Sequence, residues 1–313
     1  MHSPKRGEIE LSSHRRVAPV GDLTLMRIIF DRSSFHGKRF DLLTSSPLRR
    51  LAAQRRVVVF HTATFLDELI QSYGSAKASS SSWREHLRYA VQICNGGMFL
   101  TVEDIWRSEL VDGRGAASRH LFPHASFLGF QGTLLQTADT GDLSQEWAES
   151  EPERMDTRRK KIKQRAIFRE AREAVTQARR EGKLRGKLRD YPFSDYRRSE
   201  FTRNGRALMR VVDEERATEL ADLWEANPEG FPYYTAFVEG FVYSQYYAAI
   251  EHNGRLDGNE QADYEQLAHL IWADVVVSDD QAFFRSAFDT LWKPRGKRME
   301  SAVSFVELLE TSR

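Results

Sequence analysis

Three short apolar runs, separated by stretches with helical periodicity, constrain the fold of this chain more than any other feature. The runs are TLMRIIF at 24–30, VVVF at 57–60 and VVV at 275–277. None alternates strictly between apolar and polar residues, so each predicts a strand that is buried on both faces. Buried strands that alternate with helices are typical of a parallel sheet covered on both sides. The sequence therefore predicts an α/β fold with three layers, α/β/α, around a central parallel sheet.

Most of the remaining chain is predicted to be helical. The segments with helical patterns are 48–56, 62–74, 83–111 with a break at Gly96 and Gly97, 214–226, 262–273 and 303–309. Residues 112–145 are rich in Gly, Ser and Thr, which predicts loops with little regular structure. The stretch 231–250 has eight Phe or Tyr among its first seventeen residues. Their spacing predicts a buried helix.

The composition excludes several kinds of site. Lys and Arg number 46 against 45 Asp and Glu, so the net charge of +1 indicates no class of partner. The single cysteine, Cys94, excludes an internal disulfide and a cysteine zinc cluster. No apolar run approaches the roughly 20 residues that span a bilayer. The polar start of the chain also differs from a secretion signal, so we expect no membrane contact and a cytoplasmic location.

Acidic residues occur where the predicted strands end. Asp31 directly follows the first strand, and Asp279 and Asp280 come shortly after the third. Glu68 lies in the helix that follows the second strand, and Asp263 lies at the start of the helix that precedes the third. In an open parallel sheet, ligands bind outside the carboxyl ends of the strands. We therefore expect these acids to converge at one edge of the sheet.

Carboxylates gathered at one point predict a metal site. They repel one another and are costly to bury, unless a divalent cation neutralises them. Oxygen ligands without His or Cys suit Mg²⁺ or Mn²⁺. Such an ion lowers the pKa of a bound water and stabilises the charge on a reacting phosphodiester. A carboxylate site of this kind therefore predicts phosphoryl transfer.

Each acid also has an ordinary structural explanation. An Asp after a strand is commonly a turn residue or a helix N-cap, and Asp263 could cap its own helix. Glu68 could be a solvated helix position, like its neighbour Asp67. The combination of acids, in this order along the chain, is what favours a functional site.

Two blocks near the start of the chain resemble the PIN-domain family of nucleases. IIFDRSSF at 28–35 resembles the opening strand of that family, in which an Asp is followed two positions later by a small hydroxyl residue, here Ser33. VVVFHTATFLDEL at 57–69 resembles the second strand and its helix, where the acid falls on Glu68.

A third block, at 262–283, resembles the most recognisable part of the family. Asp263 occupies the helix position, and Ser278, Asp280 and Phe283 fill a hydroxyl–x–Asp–x–x–Phe pattern. The two acids are 17 positions apart, as the family leads one to expect. A slip of one residue would exchange Asp279 for Asp280.

The resemblance implies a PIN-like fold and an endonuclease that hydrolyses RNA, or less often single-stranded or structured DNA, with Mg²⁺ or Mn²⁺. It assigns the metal to Asp31, Glu68 and Asp263, with Asp280 as a ligand or as a residue that orients the ligands. The chain is longer than compact members of the family. We therefore predict a polar lead-in at 1–22, a PIN-like domain formed by 23–76 and 230–313, and a mostly helical insertion at 77–229.

The predicted insertion contains a strongly basic helical segment. From Arg158 to Asp190 there are 14 Lys or Arg against four acids. The candidate nucleic-acid contacts are Arg158, Arg159, Lys160, Lys161, Lys163 and Arg165. Such residues hold a phosphate backbone without sequence choice. The alternatives are a solvated helical face, pairing with the acidic run at 146–156, and docking of an acidic protein partner.

The aromatic stretch and the histidines have alternatives of their own. The Phe and Tyr of 231–247 could stack on unpaired bases, but their spacing favours core packing. His61 lies near the predicted metal edge, where it could orient a substrate phosphate, although a structural role is the favoured explanation. His36 and His269 suggest no specific role, and Cys94 is predicted to lie in the core.

Two functions follow from these patterns. The leading hypothesis is a metal-dependent endonuclease with RNA as the preferred substrate. The second is a non-catalytic PIN-like module of a larger complex, which docks through the helical insertion. A related variant is a toxin-type ribonuclease that a partner restrains. The intact set of acids favours the nuclease, because a scaffold does not need repulsive carboxylates.

Overall fold

The sheet lies at the centre of a computed structural model that describes residues 25–71, 82–112, 120–141, 151–183, 191–251 and 259–311. Its strands are β1 (Met26–Phe30), β2 (Val57–His61), β3 (Gly97–Met98), β4 (Val275–Val277) and β5 (Arg298–Glu300). All are parallel, in the order β3-β2-β1-β4-β5. The α/β class is confirmed, and the three predicted strands are β1, β2 and β4. The predicted lead-in at 1–22 lies outside the described residues.

Helices occupy most of the rest of the described chain. They are α1 (Lys38–Ser45), α2 (Leu48–Ala53), α3 (Ala63–Gln71), α4 (Ser82–Ile93), α5 (Val102–Asp112), α6 (His124–Thr140), α7 (Glu151–Arg180), α8 (Phe193–Val212), α9 (Ala217–Ala226), α10 (Pro232–Tyr246), α11 (Glu260–Ala268), α12 (Phe283–Leu291) and α13 (Ala302–Thr311). A 3-10 helix at Arg32–Phe35 follows β1. A π-helical turn at Tyr247–Glu251 follows α10.

The two faces of the sheet carry separate apolar clusters. Ile28 and Phe30 of β1 pack with α1 to α4, α6 and α13, whereas Ile29 packs with α5 and α8 to α12. Successive side chains of a strand point to opposite faces, so an uninterrupted apolar run supplies both clusters. Ile28 and Ile29 are both fully buried. Helices therefore cover both faces of the sheet.

The prediction of loops at 112–145 is wrong for His124–Thr140, which form the 17-residue helix α6. The Gly and Thr residues of this helix lower its intrinsic propensity. Phe127, Leu134 and Ala138 are nevertheless buried in the same cluster as α4, which α6 contacts. Tertiary packing supplies most of the stability of such a helix, and the sequence pattern alone did not reveal that packing.

The predicted break at Gly96 and Gly97 is the entry to an edge strand. Gly97 begins β3 with a φ of 103°, a conformation that L side chains rarely adopt. A Cβ on Gly96 would lie 2.6 Å from Cγ1 of Val58. The two glycines therefore allow the chain to turn from α4 and to pass close to β2. The strand was not predicted, because two residues form no recognisable pattern.

The sheet extends into the segment that was predicted as an insertion. Both α4 and β3 lie within 77–229, yet β3 pairs with β2 and α4 packs in the same apolar cluster as α3. Helices α8 and α9 share a cluster with α10 and the other sheet face. The described part of 77–229 thus contributes both to the sheet and to its helical layers.

The basic segment forms the long helix α7. Its 30 residues correspond to about 45 Å. Phe168 and Val175 are buried, and α7 packs against α10 and the π-helical turn. Three of the candidate nucleic-acid contacts, Arg159, Lys163 and Arg165, are exposed. The side chains of the other three, Arg158, Lys160 and Lys161, are not among those that the structure describes. A long basic helix is therefore confirmed, while its partner stays a prediction.

Glu109 of α5 is a buried acid that caps α10. Its carboxylate accepts the backbone N–H groups of Tyr233 at 3.1 Å and Tyr234 at 2.9 Å. A negative charge at this position also stabilises the positive end of the helix dipole. Glu109 is only 1% exposed, and burial raises its pKa to about 7, although the two backbone hydrogen bonds lower it.

We expect Glu109→Gln to remove part of the pH dependence of stability. Because the folded pKa lies above the ordinary value of 4.5, this group stabilises the fold fully below pH 4.5, and the stabilisation is lost as the pH rises through about 7. Glutamine keeps the shape of the protonated acid but does not titrate. In urea unfolding, the free energy of unfolding of the wild type should fall by roughly 2 kcal/mol more than that of the variant between about pH 5 and pH 8. Equal losses in the two proteins would contradict the burial of a titrating carboxyl here.

Candidate active site

The strand order places a change of direction between β1 and β4. From β1 the sheet continues to β2 and β3 on one side, whereas β4 and β5 extend it on the other. Doubly wound sheets bind ligands at such a point, outside the carboxyl ends of the strands. Asp31 follows β1 and Ser278 follows β4, so two of the predicted site residues lie there.

Asp31 is held by a compact hydrogen-bond network. It is 7% exposed, and its Oδ2 accepts the hydroxyl of Ser278 at 2.7 Å and the backbone N–H of Ser33 at 3.1 Å. The hydroxyl of Ser33 also donates to this oxygen. Three donors on one carboxylate oxygen fix the orientation of the side chain. Within the described part of the chain, Oδ1 of Asp31 accepts no hydrogen bond.

The two serine hydroxyls also bind the backbone that follows β4. Oγ of Ser33 accepts the N–H of Asp279 at 2.8 Å, and Oγ of Ser278 accepts the N–H of Asp280 at 3.1 Å. The hydroxyls themselves lie 3.2 Å apart. Each serine therefore donates to Asp31 and accepts an N–H from the backbone that follows β4. This arrangement explains why both strand ends carry a hydroxyl residue.

Asp279 and Asp280 have different surroundings. Oδ2 of Asp279 accepts the N–H of Ala302 at the start of α13 at 3.1 Å, and its Oδ1 lies 3.5 Å from Nε of Arg39. Oδ1 of Asp280 accepts the N–H of Ala282 at 2.7 Å. Asp31 itself caps the 3-10 helix that follows it. These acids thus have the capping and turn roles that the sequence also allowed, and they lie at the ends of the strands.

Glu68 and Asp263 lie on helices that meet at this edge. The side chain of Gln266 in α11 donates to the carbonyl of Phe30 at 2.7 Å, which attaches α11 to the end of β1. Asp263 lies one turn earlier on the same helix, and thus on the same face. Helix α11 contacts α3, which carries Glu68, and α3 contacts the 3-10 helix capped by Asp31. Both acids are half-buried and already interact within the chain.

The acids do not form a ready metal centre. Among the described residues, no three His, Cys, Asp or Glu side chains are arranged as the ligands of one ion. The chemistry of the donors suits Mg²⁺ or Mn²⁺, because the predicted ligands are all carboxylates. The structure thus brings the supporting elements of the four acids together, and it connects Asp31 directly to the ends of β1 and β4.

Basic side chains border the same edge. Arg39 donates from Nη1 to the carbonyl of Ser33 at 3.2 Å. The pKa of His36 lies below its usual range, chiefly through burial and then through Arg32 and Arg39, whereas Asp31 acts in the opposite direction. The pKa of His86 is lowered to about 4 by burial, His36 and Arg32.

Sequence reasoning missed this basic border. The density of cations just after Asp31, in DRSSFHGKRF at 31–40, is the signal that could have indicated it. His86 had no such signal, because α4 brings it there from a distant part of the chain.

The other histidine and aromatic candidates have structural roles. His61 is 1% exposed, and its Nε2 lies 2.9 Å from the carbonyl of Ala90. His269 is also buried and stacks on Phe99 with ring centres 4.5 Å apart. Most of the Phe and Tyr side chains of α10 are buried, so core packing is confirmed for them. Cys94 lies in the core as predicted, and burial raises its pKa to about 12.

The fold and the site together define an α/β protein with a polar network at the switch point of a parallel sheet. Comparison with protein-family models, with curated proteins and with solved structures finds no significant match. The resemblance to PIN nucleases therefore stays a prediction from the three sequence blocks. None of the helices in the described ranges has the length and apolarity needed to cross a membrane.

Proposed function

We propose that this chain is a PIN-like, metal-dependent endonuclease that hydrolyses phosphodiester bonds of RNA. The network that joins the ends of β1 and β4 carries this proposal. There, the buried carboxylate of Asp31 is oriented through one oxygen by the hydroxyls of Ser33 and Ser278. The network lies where doubly wound sheets bind ligands. The first and third of the sequence blocks that resemble PIN nucleases contribute these same residues.

The four acids Asp31, Glu68, Asp263 and Asp280 would hold the ion. Asp279 is the weaker candidate, because both of its carboxylate oxygens already contact Ala302 and Arg39. A bound Mg²⁺ or Mn²⁺ supplies a water of lowered pKa and neutralises charge on the reacting phosphate. The protein contributes the orientation of Asp31, which accepts three hydrogen bonds from Ser33 and Ser278.

Helix α7 offers a surface for the rest of the substrate. Its residues Arg159, Lys163 and Arg165 are exposed cations. Contacts of this kind hold a nucleic-acid backbone without reading its sequence, and they weaken steeply as the salt concentration rises. We assign these side chains to RNA affinity. We assign the acids at the carboxyl ends of the strands, hereafter called the acidic edge, to cleavage.

The test of this function is cleavage by the full-length protein. Labelled single-stranded RNA, single-stranded DNA and duplex RNA are incubated with Mg²⁺, with Mn²⁺ and with EDTA. We expect metal-dependent internal cuts, fastest in single-stranded RNA. Calorimetry should also detect Mn²⁺ binding that the Asp31→Ala, Asp263→Ala double variant loses. Cleavage that continues in EDTA would exclude the mechanism.

Ser278→Ala is expected to lower the cleavage rate about tenfold, because residues that orient a metal ligand typically contribute 10- to 100-fold. The change removes the 2.7 Å donor to Asp31 and the acceptor of the Asp280 N–H, and it leaves both carboxylates in place. Ser45→Ala, at an exposed position of α1, is the matched control. Single-turnover rates measure the effect. Equal rates for the two variants would show that the serine has no part in orienting Asp31.

A non-catalytic module is the second candidate. It is favoured by the fact that Glu68, Asp263 and Asp280 already interact within the chain, and that no ready metal centre exists among the described residues. In that case the exposed part of α7 would dock RNA or an acidic protein partner. RNA binding without cleavage under every metal condition would support this function over the nuclease.

A further inference from the structure

Arg32 is a half-buried cation at the end of β1. It follows Asp31 directly, in the first turn of the 3-10 helix. Its guanidinium makes no hydrogen bond or ion pair with any described residue, in contrast to Arg39. Partial burial of a charge without a partner is unfavourable. The position therefore suits an anion that is supplied from outside.

Two imidazoles lie beside Arg32 and are likewise without hydrogen-bond partners in the described residues. His36 ends the 3-10 helix, and His86 of α4 packs on Phe40 with ring centres 4.3 Å apart. Burial chiefly lowers the pKa of each; Arg32 and Arg39 add to this effect for His36, and His36 and Arg32 add to it for His86. The 3-10 helix begins at Arg32 and ends before His36, and its Phe35 contacts His86 with ring centres 6.1 Å apart. These groups therefore lie in one small region of the fold.

Arg39 completes the cluster and connects it to the acidic edge. It donates to the carbonyl of Ser33 and lies 3.5 Å from Asp279. It is 44% exposed, so part of its guanidinium faces solvent. Arg32, His36, Arg39 and His86 are hereafter called the basic cluster.

We propose that the basic cluster is a subsite for a phosphate group of the RNA strand, adjacent to the phosphate that reacts at Asp31. The inference rests on the proposed nuclease function for its substrate, but the binding itself does not require cleavage. A guanidinium donates two parallel hydrogen bonds to phosphate oxygens, and each neutral imidazole adds one N–H donor. The acids repel phosphate, whereas this cluster attracts it. The subsite would therefore place the RNA strand across the acidic edge.

The test measures RNA binding in EDTA, where metal-dependent cleavage is absent. A fluorescent 12-nucleotide single-stranded RNA is titrated with wild type, Arg32→Gln and Arg50→Gln. Arg50 is an exposed cation of α2 outside the cluster, which makes it the matched control. We expect Arg32→Gln to raise the Kd about tenfold, because a charge-assisted hydrogen bond contributes about that factor. Arg50→Gln should change it less than about twofold, and Arg32→Lys should restore part of the affinity.

A second measurement uses inorganic phosphate and the histidine NMR signals. Phosphate should shift the ring signals of His36 and His86 in the wild type, but not in Arg32→Gln. Saturable shifts with phosphate, together with weaker RNA binding by the variant, support the subsite. Shifts with phosphate but equal RNA affinity in all variants would mean that free phosphate alone is recognised, and would overturn the proposal for RNA.

The two proposals fail in different ways. RNA binding that depends on Arg32, in a protein that cleaves nothing, would refute the nuclease and leave the subsite. Metal-dependent cleavage with equal Kd values for Arg32→Gln and Arg50→Gln would refute the subsite and leave the nuclease.

Discussion

Asp31→Asn is expected to reduce metal-dependent RNA cleavage by about a thousandfold or more, because a metal ligand contributes several kcal/mol to the transition state. Asparagine has nearly the same shape, and its carboxamide oxygen can still accept the hydrogen bonds of Ser33 and Ser278. What it loses is the negative charge. The fold and the RNA affinity in EDTA should therefore change little. Single-turnover cleavage with Mn²⁺ measures the effect.

Asp41→Asn provides the matched control for this change. Asp41 is an exposed acid in the first turn of α1, in the neighbouring part of the chain. The Asp41→Asn variant should cleave RNA at the wild-type rate. If Asp31→Asn cleaves RNA at the wild-type rate, the carboxylate at the end of β1 is a structural cap only, and the proposed active site is wrong.

Glu239→Gln is expected to lower the free energy of unfolding by about 3 kcal/mol, the lower end of the range for breaking a buried ion pair. Glu239 of α10 is 4% exposed and lies between two arginines. Oε1 accepts Nε and Nη2 of Arg197 in α8 at 3.0 and 2.6 Å, and Oε2 accepts Nη2 of Arg295, which precedes β5. The amide would leave one guanidinium opposite an NH₂ group. Both arginines are about 40% exposed, so water compensates part of the loss.

Glu103→Gln is the control for this stability measurement. Glu103 forms an exposed pair with Arg107 on α5 at 2.7 Å, and such helix pairs contribute about 0.3–0.5 kcal/mol. Urea unfolding of both variants at pH 7 gives the comparison. A loss of less than about 1 kcal/mol for Glu239→Gln would mean that α8, α10 and the segment before β5 are held together by apolar packing alone.

The strands and the acids at their ends could be predicted because the relevant signals are local. A strand buried on both faces needs an uninterrupted apolar run, and β1, β2 and β4 each have one. Once those strands are parallel, the residues after them share one edge. Asp31 and Ser278 were therefore placed correctly without any knowledge of their contacts. The buried helix α10 was likewise visible in the spacing of its aromatic residues.

Other features depend on contacts between distant segments, which local sequence patterns do not predict. Helix α6 is stabilised by its packing on α4 in spite of a composition typical of loops. The two-residue strand β3 exists because β2 offers it an edge, and two glycines let it approach. His86 joins the basic cluster only because Phe35 and Phe40 pack against it from another segment.

The sequence was sufficient to predict which residues follow the buried strands, since the end of an apolar run can be read directly from the sequence. It was not sufficient to assign the individual acids, since a carboxylate's role depends on which donors reach it. Asp279 and Asp280 are adjacent and chemically identical, yet one caps α13 and pairs with Arg39, while the other accepts the N–H of Ala282. That difference arises from the way β4, β5 and α1 meet in three dimensions.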